Sequence, residues 1–124
     1  MSAALGRRRW AISAGCAPSR STGREPLLSS RDQVALLNTG DNLANARLQV
    51  FYAARGDIGP FRIGIAPRRL RNVRINDLIF PEAVRLDEPY SLLIESDVPI
   101  VVQFTRQDTR QRENAGMLTN AWCD

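Results

Sequence analysis

Apolar and polar residues alternate with a period of two along much of this chain, in runs too short for a helix to use. Residues 46–53 put Leu48, Val50 and Tyr52 on one face and Arg47, Gln49 and Phe51 on the other. That is the pattern of a strand with one buried side. Residues 69–75 divide in the same way, with Arg71, Val73 and Ile75 opposite Leu70, Asn72 and Arg74. Residues 98–106 send Val98, Ile100, Val102 and Phe104 inward, and Gln103 and Thr105 outward. Shorter apolar runs at residues 10–12, 34–37, 61–65, 90–95 and 117–122 complete the set of expected strands.

Turn chemistry separates them. Residues 15–25 are rich in Gly, Ser and Pro, residues 38–42 read Asn-Thr-Gly-Asp-Asn, and Gly56-Asp57 and Gly59-Pro60 lead into the run at 61–65. Such clusters favour tight or irregular backbone. Ser96-Asp97 is read as a turn between the runs at 90–95 and 98–106. Asn76-Asp77-Leu78 is read as a turn or a brief helix closed by Pro81. Residues 106–114 have the composition for one or two helical turns, which would set Asp108 against Arg112 at i, i+4. No segment sustains a helical period over three turns. Strands spaced about 8–12 residues apart predict an all-β, antiparallel sandwich or barrel.

Length and charge sharpen this picture only a little. The chain has 124 residues, one domain's worth and enough to bury a single core. Its formal net charge is +4, and all 17 basic residues are Arg. Guanidinium forks suit planar anions, although a general habit of using Arg for Lys is the favoured explanation of the composition, so the basic balance points to anionic partners only weakly. There is no His, which removes the commonest general base near neutral pH and the commonest metal ligand. Cys16 and Cys123 lie far apart in sequence without metal-ligand spacing, and two reduced thiols are expected.

No apolar stretch reaches the ~18 residues of a membrane-spanning helix. Arg7-Arg8-Arg9 followed by an apolar run mimics an export signal. Ser13 interrupts that run before it reaches the ~7–15 residues a signal needs. The expectation is a cytoplasmic protein with no membrane insertion.

The densest candidate site is residues 105–114, Thr-Arg-Gln-Asp-Thr-Arg-Gln-Arg-Glu-Asn. Arg106 and Arg110 would donate to a ligand, Asp108 and Glu113 would accept from hydroxyls, and Gln111 and Asn114 could do either. Trp10 could add a stacking face for a sugar ring. Each has a plainer reading: the charged run as a solvated connection or subunit contact, and Trp10 as core. Arg68, Arg69, Arg71 and Arg74 form a basic cluster that a nucleic-acid-binding regulator could use, or a strand edge kept charged against aggregation. The carboxylates Asp77, Asp108 and Glu113 show no paired spacing for hydrolysis. With no nucleophile elbow and no phosphate-binding loop, the chain is read as a non-enzyme without metal or cofactor.

Taken in order, the residues resemble the sensory rhodopsin transducer family. The matching pieces are Gly6 with Trp10-Ala11-Ile12, Gly15 and Pro18, Glu25-Pro26, and Leu37-Asn38 with Gly40-Asp41. They continue through Gly59-Pro60-Phe61-Arg62, Pro67-Arg68-Arg69 and Val73-Arg74-Ile75-Asn76-Asp77-Leu78. The most specific is Ser96-Asp97-Val98-Pro99-Ile100-Val101-Val102-Gln103-Phe104-Thr105-Arg106, continued by Asp108-Thr109-Arg110-Gln111 and Glu113-Asn114-Ala115. The match is collinear from about Gly6 to Ala121. Phe104 stands where the family pattern admits His, so a role needing imidazole is not carried over, and the alternation makes Phe104 core.

The resemblance implies one β-sandwich domain of jelly-roll type over residues 1–124, assembled as a homotetramer. It further implies signalling with a membrane photoreceptor or binding of a small, sugar-like ligand. A DNA-binding regulator is the alternative.

Overall fold

The computed structural model of the chain describes residues 4–16, 31–85, 88–108, 115–120 and 122–123, and in them the alternating runs are strands. They are β1 (Arg7–Cys16), β2 (Arg31–Asn38), β3 (Ala44–Tyr52), β4 (Ile58–Ile65), β5 (Arg69–Arg74), β6 (Pro89–Asp108), β7 (Ala115–Asn120) and β8 (Trp122–Cys123). One 3-10 turn, Ile75–Asp77, stands where a brief helix was expected, with the Leu78 N–H donating to the Ile75 carbonyl at 3.1 Å.

All the pairings are antiparallel. One path runs β4-β3-β6-β1-β8, while β2 lies between β5 and β6, and β7 pairs with β6. The result is a curled, all-β antiparallel sheet hinged on β6. The first half of β6 lies between β3 and β1, with Ile94 opposite both Leu48 and Trp10. Its second half lies between β2 and β7, with Phe104 opposite both Val34 and Thr119.

The turn expected at Ser96-Asp97 does not form, because β6 runs through it unbroken for 20 residues. The alternation itself explains why. Tyr90, Leu92, Ile94 and Ser96 are buried, Val98 is half-buried, and Ile100, Val102 and Phe104 are buried. The inward phase never changes, so a continuous strand keeps all of these side chains on the core face, whereas a reversal would need the phase to restart. What happens at Ser96-Asp97 is a bend. Arg9 faces Glu95 but Arg7 faces Ile100, so β6 carries extra residues there, as a bulge does. Pro99, which has no N–H to give a ladder, lies within it.

Trp10 of β1 and Gly6 just before it lock the bend. The Trp10 indole N–H donates to the carbonyls of Arg7 and Ile100, both at 3.0 Å. Gly6 has φ of +103°, and a Cβ there would lie 1.9 Å from the Ile100 oxygen. Only glycine allows that approach.

Two other expectations are corrected. Gly59-Pro60 belongs to β4 rather than to the loop before it. Since β4 is the edge of its path, Pro60 need not supply a ladder N–H. A helical turn does not start at Arg106, because Arg106 is paired with Asp32 on one side and Met117 on the other. With a strand on each side, the backbone groups of this segment are taken in turn by ladder bonds to β2 and β7, which removes the drive to coil.

One core cluster draws on the inward faces of β1 to β6: Ile12, Val34, Leu36, Leu48, Val50, Phe61, Ile65, Val73, Ile94 and Phe104 all belong to it. Asn38, fully buried at the end of β2, is one of three buried polar side chains among the described residues, with Asp32 and Ser96. Its amide donates to the carbonyls of Asn42 (2.8 Å) and Ile65 (3.1 Å), and its oxygen accepts from the Gly40 N–H (3.0 Å). The side chain thus fixes the turn after β2 onto the end of β4.

Candidate functional site

The polar run singled out in the sequence begins at the far end of β6. Thr105, half-buried, faces Gln33 and Leu118, and Arg106 is in register with Asp32. Asp108 pairs with Ala115, which makes residues 109–114 the connection between β6 and β7. Arg110, Gln111, Glu113 and Asn114 lie outside the described residues. Close to the base of the run, Asp32 is fully buried and accepts a hydrogen bond from the Tyr90 hydroxyl at 2.8 Å.

Trp10 is half-buried against the core cluster, and its indole N–H is used within the bend of β6. The basic cluster does not share one surface. Arg69 and Arg71 alternate with Arg74 along β5, so Arg74 lies on the opposite face, and it is half-buried. Arg68 has φ of 55° and stands 3.6 Å from Asp41, while Arg71 donates to the Gly64 carbonyl at 2.8 Å. Asp77 is exposed. Cys123 is a free, exposed thiol. It is in register with Trp10, six residues along β1 from Cys16, so the two Cα atoms are roughly 20 Å apart, where a disulfide needs under about 7 Å.

The structure assembles a group of residues that pattern reading did not single out, on the outward face of β4, β3, β6 and β1. Arg62 is in register with Arg47, Arg47 with Glu95, and Glu95 with Arg9. This gives one transverse row of three cations and one anion. Glu95 closes on Arg9 at 3.7 Å. One step along the strands, Gly64 faces Asn45. The Asn45 backbone N–H donates to Asp97 Oδ1 at 2.8 Å, and its side-chain amide donates to Oδ2 at 2.9 Å. Those two bonds, the backbone one first, hold the Asp97 carboxyl below its ordinary value, because they favour the charged form.

Between these rows is an open cleft of about 390 Å³ lined by Asn45, Arg47, Arg62, Gly64, Ser96 and Asp97. The alternation of β3 does put Arg47 outward. Its neighbours Arg62 and Glu95, however, come from strands 15 and 48 residues away (62 − 47 and 95 − 47), and register is not written in either strand alone. Among the described residues no group of three or more His, Cys, Asp or Glu side chains could hold a metal ion, and no helix is long and apolar enough to cross a membrane.

Comparison with known proteins agrees with this architecture. The family model described as Anabaena sensory rhodopsin transducer matches residues 5–123. The solved structure of Anabaena sensory rhodopsin transducer is similar at 37% identity with a TM-score of 0.75, covering 83% of this chain and 97% of that one. The crystal structure of Thermotoga maritima 1070 is similar at 27% identity with a TM-score of 0.80, covering 96% of each chain. The chain matches no curated protein.

Proposed function

We propose that this chain, which belongs to the Anabaena sensory rhodopsin transducer family, is a non-enzymatic signalling protein that relays the state of a membrane receptor to a soluble partner. The observation that carries this reading is the family match over residues 5–123. The receptor is a photoreceptor of the sensory rhodopsin type. The relay acts in the cytoplasm as a homotetramer of jelly-roll sandwiches. A small, sugar-like ligand engages the end of β6 and the connection beyond it, through Arg106, Asp108, Arg110, Gln111, Glu113 and Asn114.

Isothermal titration of the full chain into a purified, retinal-loaded sensory rhodopsin from the same source, in detergent, tests the relay. Saturable binding with an altered photocycle decay is expected. No heat together with an unchanged decay overturns it. A thermal-shift screen of sugars and sugar acids tests the ligand, since a molecule that binds only the native state raises stability. No shift at millimolar ligand, or a shift unchanged in Arg106→Ala, overturns that part.

A further inference from the structure

The transverse row on the outer sheet face contains an arrangement that folding does not explain. Arg62 and Arg47 are directly opposed on neighbouring strands, so their Cβ atoms lie roughly 5 Å apart, and like charges so placed destabilise a sheet. Both are exposed. The nearest acid in the row, Glu95, is engaged by Arg9. A third guanidinium, from Arg71, is anchored on the carbonyl of Gly64, a residue that lines the cleft, at 2.8 Å. A sequence that keeps an adverse local arrangement does so most often where it serves a function.

The cleft is polarised. Its floor is open because Gly64 has no side chain. A Cβ there would meet only the tip of Leu43 at 3.8 Å, so the protein's own packing does not require glycine. Beyond Gly64 stands the Asn45–Asp97 pair, whose carboxylate is exposed at the surface.

From this geometry we infer that the cleft binds a small hydroxylated phosphate monoester, its phosphate on Arg47 and Arg62 and its hydroxyls toward Asp97. Two adjacent guanidinium forks offer up to about ten N–H donors, more than one carboxylate can accept. A phosphate with about −1.5 to −2 charge and three acceptor oxygens, each able to take more than one donor, matches the two forks in charge. Asp97 repels a second anion at the far end and accepts from hydroxyls, which disfavours polyanions such as nucleic acid. The cleft volume of about 390 Å³ falls in the range of small-molecule sites. This inference uses none of the residues of the relay reading and stands or falls separately.

The test is an amide-resolved NMR titration of the full chain at low ionic strength with glucose 6-phosphate, inorganic phosphate and glucose. Expected are saturable shifts at Asn45, Arg47, Arg62 and Gly64 with glucose 6-phosphate at a Kd on the order of 1 mM or tighter. Weaker shifts at the two Arg residues are expected with phosphate, and none with glucose. Arg62→Gln should weaken glucose 6-phosphate binding at least about tenfold while leaving the melting temperature unchanged or raised. Gly64→Ala should weaken it with an intact fold, which separates a filled cleft from an unfolded protein. Three results would each overturn the inference: no saturation by 10-millimolar-range ligand, shifts centred elsewhere, or tighter binding of a short DNA duplex lost in the same variants.

Discussion

Replacing Asn38 by Ala removes the one fully buried amide that joins the turn after β2 to the end of β4. Four bonds are lost: the donations to the Asn42, Ile65 and Ala66 carbonyls at 2.8, 3.1 and 3.4 Å, and the acceptance from the Gly40 N–H at 3.0 Å. A buried hydrogen bond contributes about 1 kcal/mol net, and a partner left buried and unpaired costs about 1–3 kcal/mol. Ile65 is itself only 1% exposed, so water cannot readily replace the amide at its carbonyl. The expected loss is therefore about 2–4 kcal/mol, a large part of a typical stability of about 5–15 kcal/mol.

Urea denaturation followed by far-UV circular dichroism reads this as a midpoint shift of about 1–2 M, with an unchanged slope near 2 kcal/mol/M. Asn38→Asp keeps an oxygen for the Gly40 N–H but turns a carboxylate oxygen toward these carbonyls. At pH 7 it should be less stable than Asn38→Ala, since a buried unpaired charge costs more than a missing bond, and the difference should shrink as acid protonates the introduced group. A loss below about 1 kcal/mol for Asn38→Ala, or an Asn38→Asp protein at least as stable as Asn38→Ala at pH 7, would refute the reasoning.

Gly6→Ala should cost about 2–4 kcal/mol by calorimetry, because its Cβ cannot share space with the Ile100 oxygen and φ is positive; a near-neutral result would mean that the bend of β6 is not held as described. Phe104→Ala, at a site 1% exposed, should cost about 3–5 kcal/mol, and a soluble, equally stable variant would contradict its place in the core. Asp97, held below its ordinary value by Asn45, contributes stability that is complete above the unfolded carboxylate pKa and disappears as pH falls through its lower folded value. The urea midpoint of Asp97→Asn should accordingly lie below that of the parent at pH 7, with the gap closing below about pH 4; a gap that persists in strong acid would rule out titration of Asp97 as its source.

Much of the fold was legible in the chain because strand alternation is a local property. Leu48 and Val50 against Arg47 and Gln49, and Ile100, Val102 and Phe104 in one phase, can be read without knowing what lies across from them. The same local reading misjudged Ser96-Asp97. Turn-forming side chains suggested a reversal there, and the long-range pairing of β6 with four neighbours overrode them. Gly59-Pro60 was misplaced for a similar reason: whether a proline can sit in a strand depends on whether that strand is an edge. The candidate cleft was out of reach of pattern reading. Outward-facing Arg and Asp residues look alike on every exposed strand until register sets them side by side.

By itself, the sequence determined that this chain forms alternating strands around one apolar core and has no His for chemistry near neutral pH. It also carried, in the collinear run from Gly6 onward, the mark of its family. Only the tertiary structure decided that β6 serves two halves of one curled sheet, that Trp10 and Gly6 lock its bend, and that Arg47 and Arg62 face each other beside Gly64 and Asp97. The physical reason is range. Alternation is fixed by neighbours two residues apart along one strand, whereas a row across a sheet is fixed by hydrogen-bond register between strands distant in sequence.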